Sequence, residues 1–427
     1  MALWQGAGTG EMSSVFVWII AAGIIAGVLY RPRDWPEAVW ASLGATLLVV
    51  SGLLPLHLAG SAVAKGTDVY LFLTGMMLLA ELARREGVFD WLAGLAVRAA
   101  RGSKARLFLL IYGVGTLVTV FLSNDATAVV LTPAVYAAVK RARADALTYL
   151  YICAFIANAA SFVLPISNPA NLVVYGKSLP PLLPWLRTFF LPSVCSIALT
   201  YAVLRWSLRK KIRGEIDRTS AFPTLSREGR CAAWGIVGTG VALIAASALG
   251  LDLGLPTCAA SMLAVLITTR LRAAPIRDVA AGVSWSVLPL VAGLFVLVEA
   301  LNRTGSFEAL VNGLKWLEAM PGVAGDLISS FGIAALSNLM NNLPSGLLAG
   351  SALQAAHIAP RIRDSVLIGV DLGPNLSVTG SLATVLWLIA LRREGIQVSG
   401  GRFLKLGAFV MTPALFVATL TVGLFTK

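Results

Sequence analysis

The sequence predicts an all-α polytopic membrane protein made of two inverted repeats, each with five transmembrane helices (one broken) and a re-entrant helical hairpin. Three observations predict it. The 427 residues are 57% hydrophobic and 13% charged, with a mean hydropathy of +0.81, whereas a soluble domain carries about 25% charged residues. Apolar stretches of spanning length recur along the chain. The two halves repeat each other's polar landmarks at a nearly constant offset. The same composition excludes disorder, which goes with few apolar residues. The formal charge of +13 does not point to a nucleic-acid partner, because basic residues of a membrane protein collect in cytoplasmic loops.

A span needs about 20 apolar residues to cross about 30 Å of hydrocarbon. Ten segments qualify or nearly qualify: 14–30, 36–54, 68–83, 146–176, 184–206, 231–250, 256–270, 283–301, 365–391 and 406–426. The N-terminus has no basic n-region and carries Glu11, so the first apolar run reads as a retained span and not a cleaved signal. Two further apolar regions differ. Residues 107–139 hold Ser123-Asn124-Asp125 at their centre, and residues 326–357 hold Asn341-Asn342-Leu343-Pro344. Their arms are about 14 or 15 residues, roughly 21–22 Å at 1.5 Å per residue, too short to cross. Both read as re-entrant hairpins whose tips stop near mid-membrane, where broken backbone survives only when buried in protein or lining a wet cavity.

This division makes residues 1–206 the first repeat, 207–230 a cytoplasmic linker and 231–427 the second repeat. Ten crossings from an outside N-terminus place 26 of the 34 lysines and arginines inside, as the positive-inside rule asks. The inside set includes Arg84, Arg85, Arg98, Arg101, Lys104, Arg106, Lys140, Arg141, Arg143 and, around the central loop, Arg205, Arg209, Lys210, Lys211, Arg213 and Arg218. The outside set is Lys65, Lys177, Arg187, Arg303, Lys315, Arg361, Arg363 and Lys427. Both termini then lie outside, the first hairpin enters from the cytoplasm and the second from outside. The segment Val88 to Arg101 is amphipathic and suits the inner surface.

The repeat appears in residues. Gly75, Glu81, Gly87 and Phe89 match Gly293, Glu299, Gly305 and Phe307 at an offset of 218. Asn124-Asp125 match Asn341-Asn342 at 217, Asn158 and Ala170 match Asp371 and Ala383 at 213, and Pro192 matches Pro413 at 221. Five crossings per half is an odd number, so the halves are oppositely oriented, the plan of secondary transporters.

In each half two polar breaks should meet at the midplane: the hairpin tip and an interrupted fourth helix. The tips supply Asn124, Asn341 and Asn342. The first interruption supplies Asn158, Ser161, Ser167, Asn168 and Asn171, and the second Asn375, Ser377, Thr379 and Ser381. Unwound segments of this kind present helix N-termini, carbonyls and small polar side chains to a compact polar solute. Taken singly, such residues also satisfy backbone freed by a kink. Asp125 and Asp371 are the carboxylates in the breaks. A buried intramembrane carboxylate marks a functional site by default, and Asp can take a proton where Asn cannot. The offsets set Asp125 opposite Asn342 and Asp371 opposite Asn158, so Asp371, Asp125 or both are expected to cycle a proton. A permanently hydrogen-bonded structural carboxylate is the plainer alternative. Glu81 and Glu299 read as helix-end ion pairs, with Arg84 and Arg85 and with Arg303 at i+4.

Catalytic chemistry has little material. Cys153, Cys195, Cys231 and Cys258 are at least 27 residues apart, and His57 and His357 lie in apparent loops, which leaves no spacing for a zinc site or a triad. Cys153 reads as a small apolar filler. No metal, cofactor or enzymatic activity is expected.

Met340-Asn-Asn-Leu-Pro344, Ile368-Gly-Val-Asp-Leu-Gly-Pro-Asn375 and Thr379-Gly-Ser-Leu-Ala-Thr384 closely resemble the bacterial arsenite efflux permease family, ArsB, within the ArsB/NhaD ion transporter superfamily. Ser123-Asn-Asp-Ala-Thr-Ala-Val-Val-Leu-Thr-Pro133 resembles its first hairpin. The resemblance runs over nearly the whole chain. It implies a two-hairpin inverted-repeat fold in the bacterial inner membrane and proton-coupled export of arsenite and antimonite. It also admits an ArsA-type ATPase and a homodimer as partners. Asn158 departs from the Asp expected there in some arsenite permeases, and Ser167-Asn-Pro-Ala-Asn171 is similar to relatives that include sodium/proton antiporters. Arsenous acid is a small neutral trihydroxide near pH 7, suited to Asn, Ser, Thr and carbonyl groups. A sodium/proton antiporter is the second expectation and an organic-anion transporter, which would want a basic residue in the breaks, the third.

Overall fold

A chain this apolar satisfies its backbone in lipid by bonding within each segment, which means helices. The computed structural model describes residues 7–30, 35–217, 223–272 and 275–425, and the only β-type pairing among them is an isolated bridge between Ser103 and Glu215. Arg218, Lys427 and residues 218–222 of the linker lie outside the described residues. Multiple apolar helices make this a multi-pass membrane protein.

The first eleven helices are α1 (Ala7–Tyr30), α2 (Glu37–Val50), α3 (Leu56–Lys65), α4 (Thr67–Arg85), α5 (Val88–Ala99), α6 (Lys104–Phe121), α7 (Asn124–Ala126), α8 (Thr132–Arg141), α9 (Ala146–Ala159), α10 (Pro169–Tyr175) and α11 (Leu182–Ser207). The remaining ten are α12 (Arg227–Ala248), α13 (Gly254–Arg272), α14 (Ile276–Gly282), α15 (Val287–Leu301), α16 (Gly305–Glu318), α17 (Ala324–Met340), α18 (Asn342–Ala356), α19 (Pro360–Leu372), α20 (Leu382–Arg393) and α21 (Gly400–Phe425). One order of elements serves twice. A short helix bends onto a longer one by 48° at α3–α4 and by 50° at α14–α15. Two arms then meet at a polar tip, a helix breaks and resumes, and a long last helix carries an internal proline, Pro192 or Pro413.

Among the described residues five helices are long and apolar enough to cross alone, or seven if each bent pair is one span, against ten expected crossings. Four expected spans do not qualify. Breaks at residues 160–168 and 373–381 divide two of them, α2 is only 14 residues long, and the apolar stretch of α1 counts over Ser14–Val28 alone. Conversely, α6 qualifies at 18 residues, about 27 Å. Its helix starts at Lys104, before the apolar run, because the Ser103 hydroxyl caps it by accepting from the Arg106 amide at 3.3 Å. The first arm is therefore longer than its hydropathy suggests.

The two series interlock reciprocally. Gly75 lies so close to α13 that a Cβ would meet the Thr257 and Cys258 backbone at 2.8 Å. Its counterpart Gly293 lies so close to α2 that a Cβ would meet the Ala41 backbone at 2.7–2.8 Å. Small residues let helix backbones approach in membranes, and here each half offers one such contact to the other.

Two expectations change. Glu299 pairs with Lys65 of α3 at 2.7 Å rather than with Arg303, because α15 packs against the bent helix of the other half. His57 lies in the first turn of α3, which Pro55 starts with its fixed φ, while His357 ends α18 in a left-handed conformation at φ 51°. A Gly293→Val protein should unfold at a lower temperature than wild type, at a cost of about 1–3 kcal/mol. Gly313→Ala, with open space around it, should not. Thermal denaturation in detergent checks both.

Candidate functional site

The hairpin tips are built alike. At the first, the Ser123 hydroxyl accepts from the Ala126 amide at 3.1 Å. At the second, the Asn341 side chain accepts from the Leu343 amide at 3.3 Å, with Asn341 itself at φ 76°, a conformation Asn tolerates better than most residues. One hydroxyl pair clamps each tip's arms: Thr119 with Thr127 at 2.8 Å and Ser337 with Ser345 at 2.7 Å. These caps and clamps share an offset of 218, which sets Asn124 against Asn342 and Asp125 against Leu343. The register differs by one residue from the sequence-derived 217, so the position equivalent to Asp125 is the apolar Leu343 and not Asn342. A π-helical stretch, Thr127–Leu131, follows Asp125, a distortion common near functional sites. In the second hairpin α18 runs unbroken from Asn342.

The broken helices satisfy each other. Asn158 donates its amide to the Asn375 oxygen at 3.0 Å and to Thr384 at 3.3 Å. Asn375 passes its own amide to the Phe155 carbonyl at 3.0 Å. In return Asn168 donates to Asp371 Oδ1 at 2.7 Å, while its oxygen caps α10 by accepting from the Ala170 amide. The helix-end residue of each half thus bonds the break of the other half. Three buried oxygens are left with no donor: Asn158 Oδ1, Asn171 Oδ1 and Asp371 Oδ2.

Other predicted residues do local structural work. Ser161 donates to the Asn158 carbonyl at 2.8 Å, and Ser167 donates to the Val120 carbonyl at 3.0 Å, tying the first break to the first hairpin. Asn171 spends its amide on the carbonyls of Ser161, Leu164 and Pro165. The Asn124 side chain accepts from the Asp125 backbone N–H at 2.9 Å, and the Asn342 backbone N–H donates to the Gly380 carbonyl at 2.9 Å, tying the second tip to the second break. Ser381 caps α20. Ser377 and Thr379 both bond Asn338, a residue the sequence reading missed. Asn338 sits on the α17 arm and bridges it to the Gly373 carbonyl at 2.9 Å. Its only signal was a polar residue in an apolar arm. Cys153 is fully buried in α9.

A cavity of about 80 Å³ lies where α4, the first tip and the α14–α15 turn meet. Its walls include Phe72, Met76, Glu81, Ser123, Asp125 and Pro169, and no lysine or arginine is among the lining residues. Asp125 is the only predicted site residue that reaches it; Asp371 lies elsewhere, wholly buried between the breaks. Glu81 forms the expected ion pairs, with Arg84 at 2.6 and 2.7 Å and Arg85 at 2.8 Å, yet it also stands in the cavity wall.

A family model described as citrate transporter, CitMHS, matches residues 16–370. The arsenical pump membrane proteins of Yersinia enterocolitica and Escherichia coli K12 are each 26% identical, covering 93% of this chain and 95% of theirs. A putative arsenical pump membrane protein of Bacillus subtilis is 24% identical over 92% of this chain and 95% of its own. The crystal structure of the Alcanivorax borkumensis YdaH transporter aligns with a TM-score of 0.56 at 15% identity, over 88% of this chain and 89% of that one, a likeness of fold.

Asn168→Ala should lower the thermal midpoint, because it removes the 2.7 Å donor to Asp371 Oδ1, a loss of about 1–3 kcal/mol. Asp371→Asn in the same protein should recover part of that loss, a non-additivity that a double-mutant cycle of thermal midpoints measures.

Proposed function

Since the chain belongs to the CitMHS transporter family, we propose that it is a secondary transporter of the bacterial inner membrane that exports arsenite and antimonite by proton-coupled antiport. The observation that carries the reading is the seam cavity: small, mostly apolar, free of lining cations, and holding one hairpin-tip carboxylate, Asp125. Arsenous acid is compact and neutral at pH 7 and needs no cationic partner. Citrate carries several negative charges and would meet Glu81 and Asp125 there. The arsenical pump names of the relatives support the same choice.

In this reading the halves are inverted repeats and both termini face the periplasm. Glu81 lines the cavity and pairs with Arg84 and Arg85, at a helix end that the positive-inside bias assigns to the cytoplasm. The counterpart contact, α15 against α18, is packed shut, with Leu294, Leu347 and Leu348 buried. The conformation is then the one that loads from the cytoplasm. Substrate enters beside Asp125, the hairpin tips and broken helices shift against the α4 and α15 side, and release follows outside. A proton entering from outside supports the return, carried by Asp125, Asp371 or both. Asp371 has one oxygen held by Asn168 and one free for a proton.

A sodium/proton antiporter is the second reading. The unpartnered oxygens of Asn158, Asn171 and Asp371 favour it, because Na⁺ takes carboxylate and carbonyl oxygens. Everted vesicles under an imposed pH gradient decide between the two. Arsenite accumulation that collapses with the gradient is expected; Na⁺-driven proton movement with no arsenite accumulation would reverse the choice. Asp125→Asn and Asp371→Asn should each reduce gradient-driven accumulation at least about tenfold, a barrier change of about 1.4 kcal/mol. An Asp371→Asn protein with wild-type rate and pH dependence would take Asp371 out of the proton path.

A further inference from the structure

Glu81 does more than end a helix. Its side chain is 7% exposed and its carboxylate accepts three bonds: from Arg84 Nη2 at 2.6 Å, Arg84 Nε at 2.7 Å and Arg85 Nε at 2.8 Å. Glu81 lines the cavity and neither arginine does. The guanidinium groups, half-exposed at Arg84 and about a third exposed at Arg85, lie outside the lining but hydrogen-bond a carboxylate that is part of it. Gly282, at the end of α14, closes over the carboxylate: a Cβ there would sit 1.8 Å from Oε1 and 2.3 Å from Cδ. The position admits no side chain while Glu81 keeps this pose.

The counterpart on α15, Glu299, has a different setting. It pairs with a cation from the other half, Lys65 of α3. On α14 the corresponding contact is a bare glycine, so Glu81 turns back to arginines of its own helix. Two forked guanidinium groups side by side are what a carboxylate-bearing substrate would bind.

We propose that Glu81 is a specificity-determining residue, a built-in carboxylate that occupies a two-arginine anion site and so denies it to carboxylate substrates. The proposal rests on the export reading above for the identity of the normal, neutral cargo. Removal of the Glu81 side chain leaves a carboxylate-sized space within reach of Arg84 and Arg85, which one carboxylate of a substrate such as citrate can enter.

Binding of citrate to the purified full chain in detergent tests this, read as the shift in thermal midpoint so that no transport is needed. Wild type should show no shift. Glu81→Ala should rise by about 2–4 °C at saturating citrate, and Glu81→Ala with Arg84→Gln and Arg85→Gln should lose that rise. Gly282→Ala is the second route: it expels the carboxylate sterically with every charge retained and should also gain a citrate shift, so the test survives if Glu81→Ala fails to fold. A citrate shift in wild type as large as in the variants would overturn the proposal. So would its absence from both single variants, or its persistence in the triple variant. Arsenite accumulation by wild-type vesicles is a separate readout, so failure of the export reading is distinguishable from failure of this one.

Discussion

Each broken helix lends hydrogen bonds to the other, and that exchange holds the two interruptions together at the centre of the fold. In lipid an unmade bond to a buried polar group costs about 1–3 kcal/mol, and each break frees several. Asn158 answers the break at Asn375 and Thr384, and Asn168 answers Asp371. Each half satisfies part of its own interruption, through Asn171 in the first and Asn338 in the second, and takes the rest from the other half. The hairpins are drawn in as well, Ser167 reaching the Val120 carbonyl and the Asn342 amide reaching Gly380. Four irregular segments thus share one buried polar centre.

The surrounding helices pack by other means. Gly75 and Gly293 bring α4 and α15 onto helices of the opposite half at backbone distance. Such contacts hold α4 and α15 firmly against the opposite half, on either side of the polar centre. One of these helices meets the second hairpin closely, and the other leaves the cavity at Asp125. A single fold therefore holds one closed and one open version of the same contact. The difference between Asp125 and Leu343 means that only the open side presents a carboxylate from its hairpin tip.

Much of this was legible in the sequence, because apolar composition, polar tips and offset landmarks all report directly on helices in a membrane. Ser123-Asn124-Asp125 and Asn341-Asn342 mark both tips, and Asn158 and Asp371 mark both breaks. Three things were not legible. The register of the first tip depends on which residue caps the helix, and hydropathy does not see caps; Ser123 rather than Asn124 pairs with Asn341. The start of α6 depends on Ser103 in the same way. Partners far apart in sequence depend on packing, so Lys65 for Glu299 and Gly282 for Glu81 emerge only in three dimensions. Most of the predicted binding residues also turn their polar atoms to backbone, which the residue types alone could not distinguish from exposure to a solute.

The proposed export cycle requires substrate and proton to be coupled through Asp125, Asp371 or both. Proton release on arsenite binding tests it most directly, followed with a pH indicator in weakly buffered, purified protein. The account predicts release of protons on arsenite addition, and less release when either Asp125 or Asp371 is replaced by Asn. Saturable arsenite binding with no proton release across the physiological pH range would contradict it.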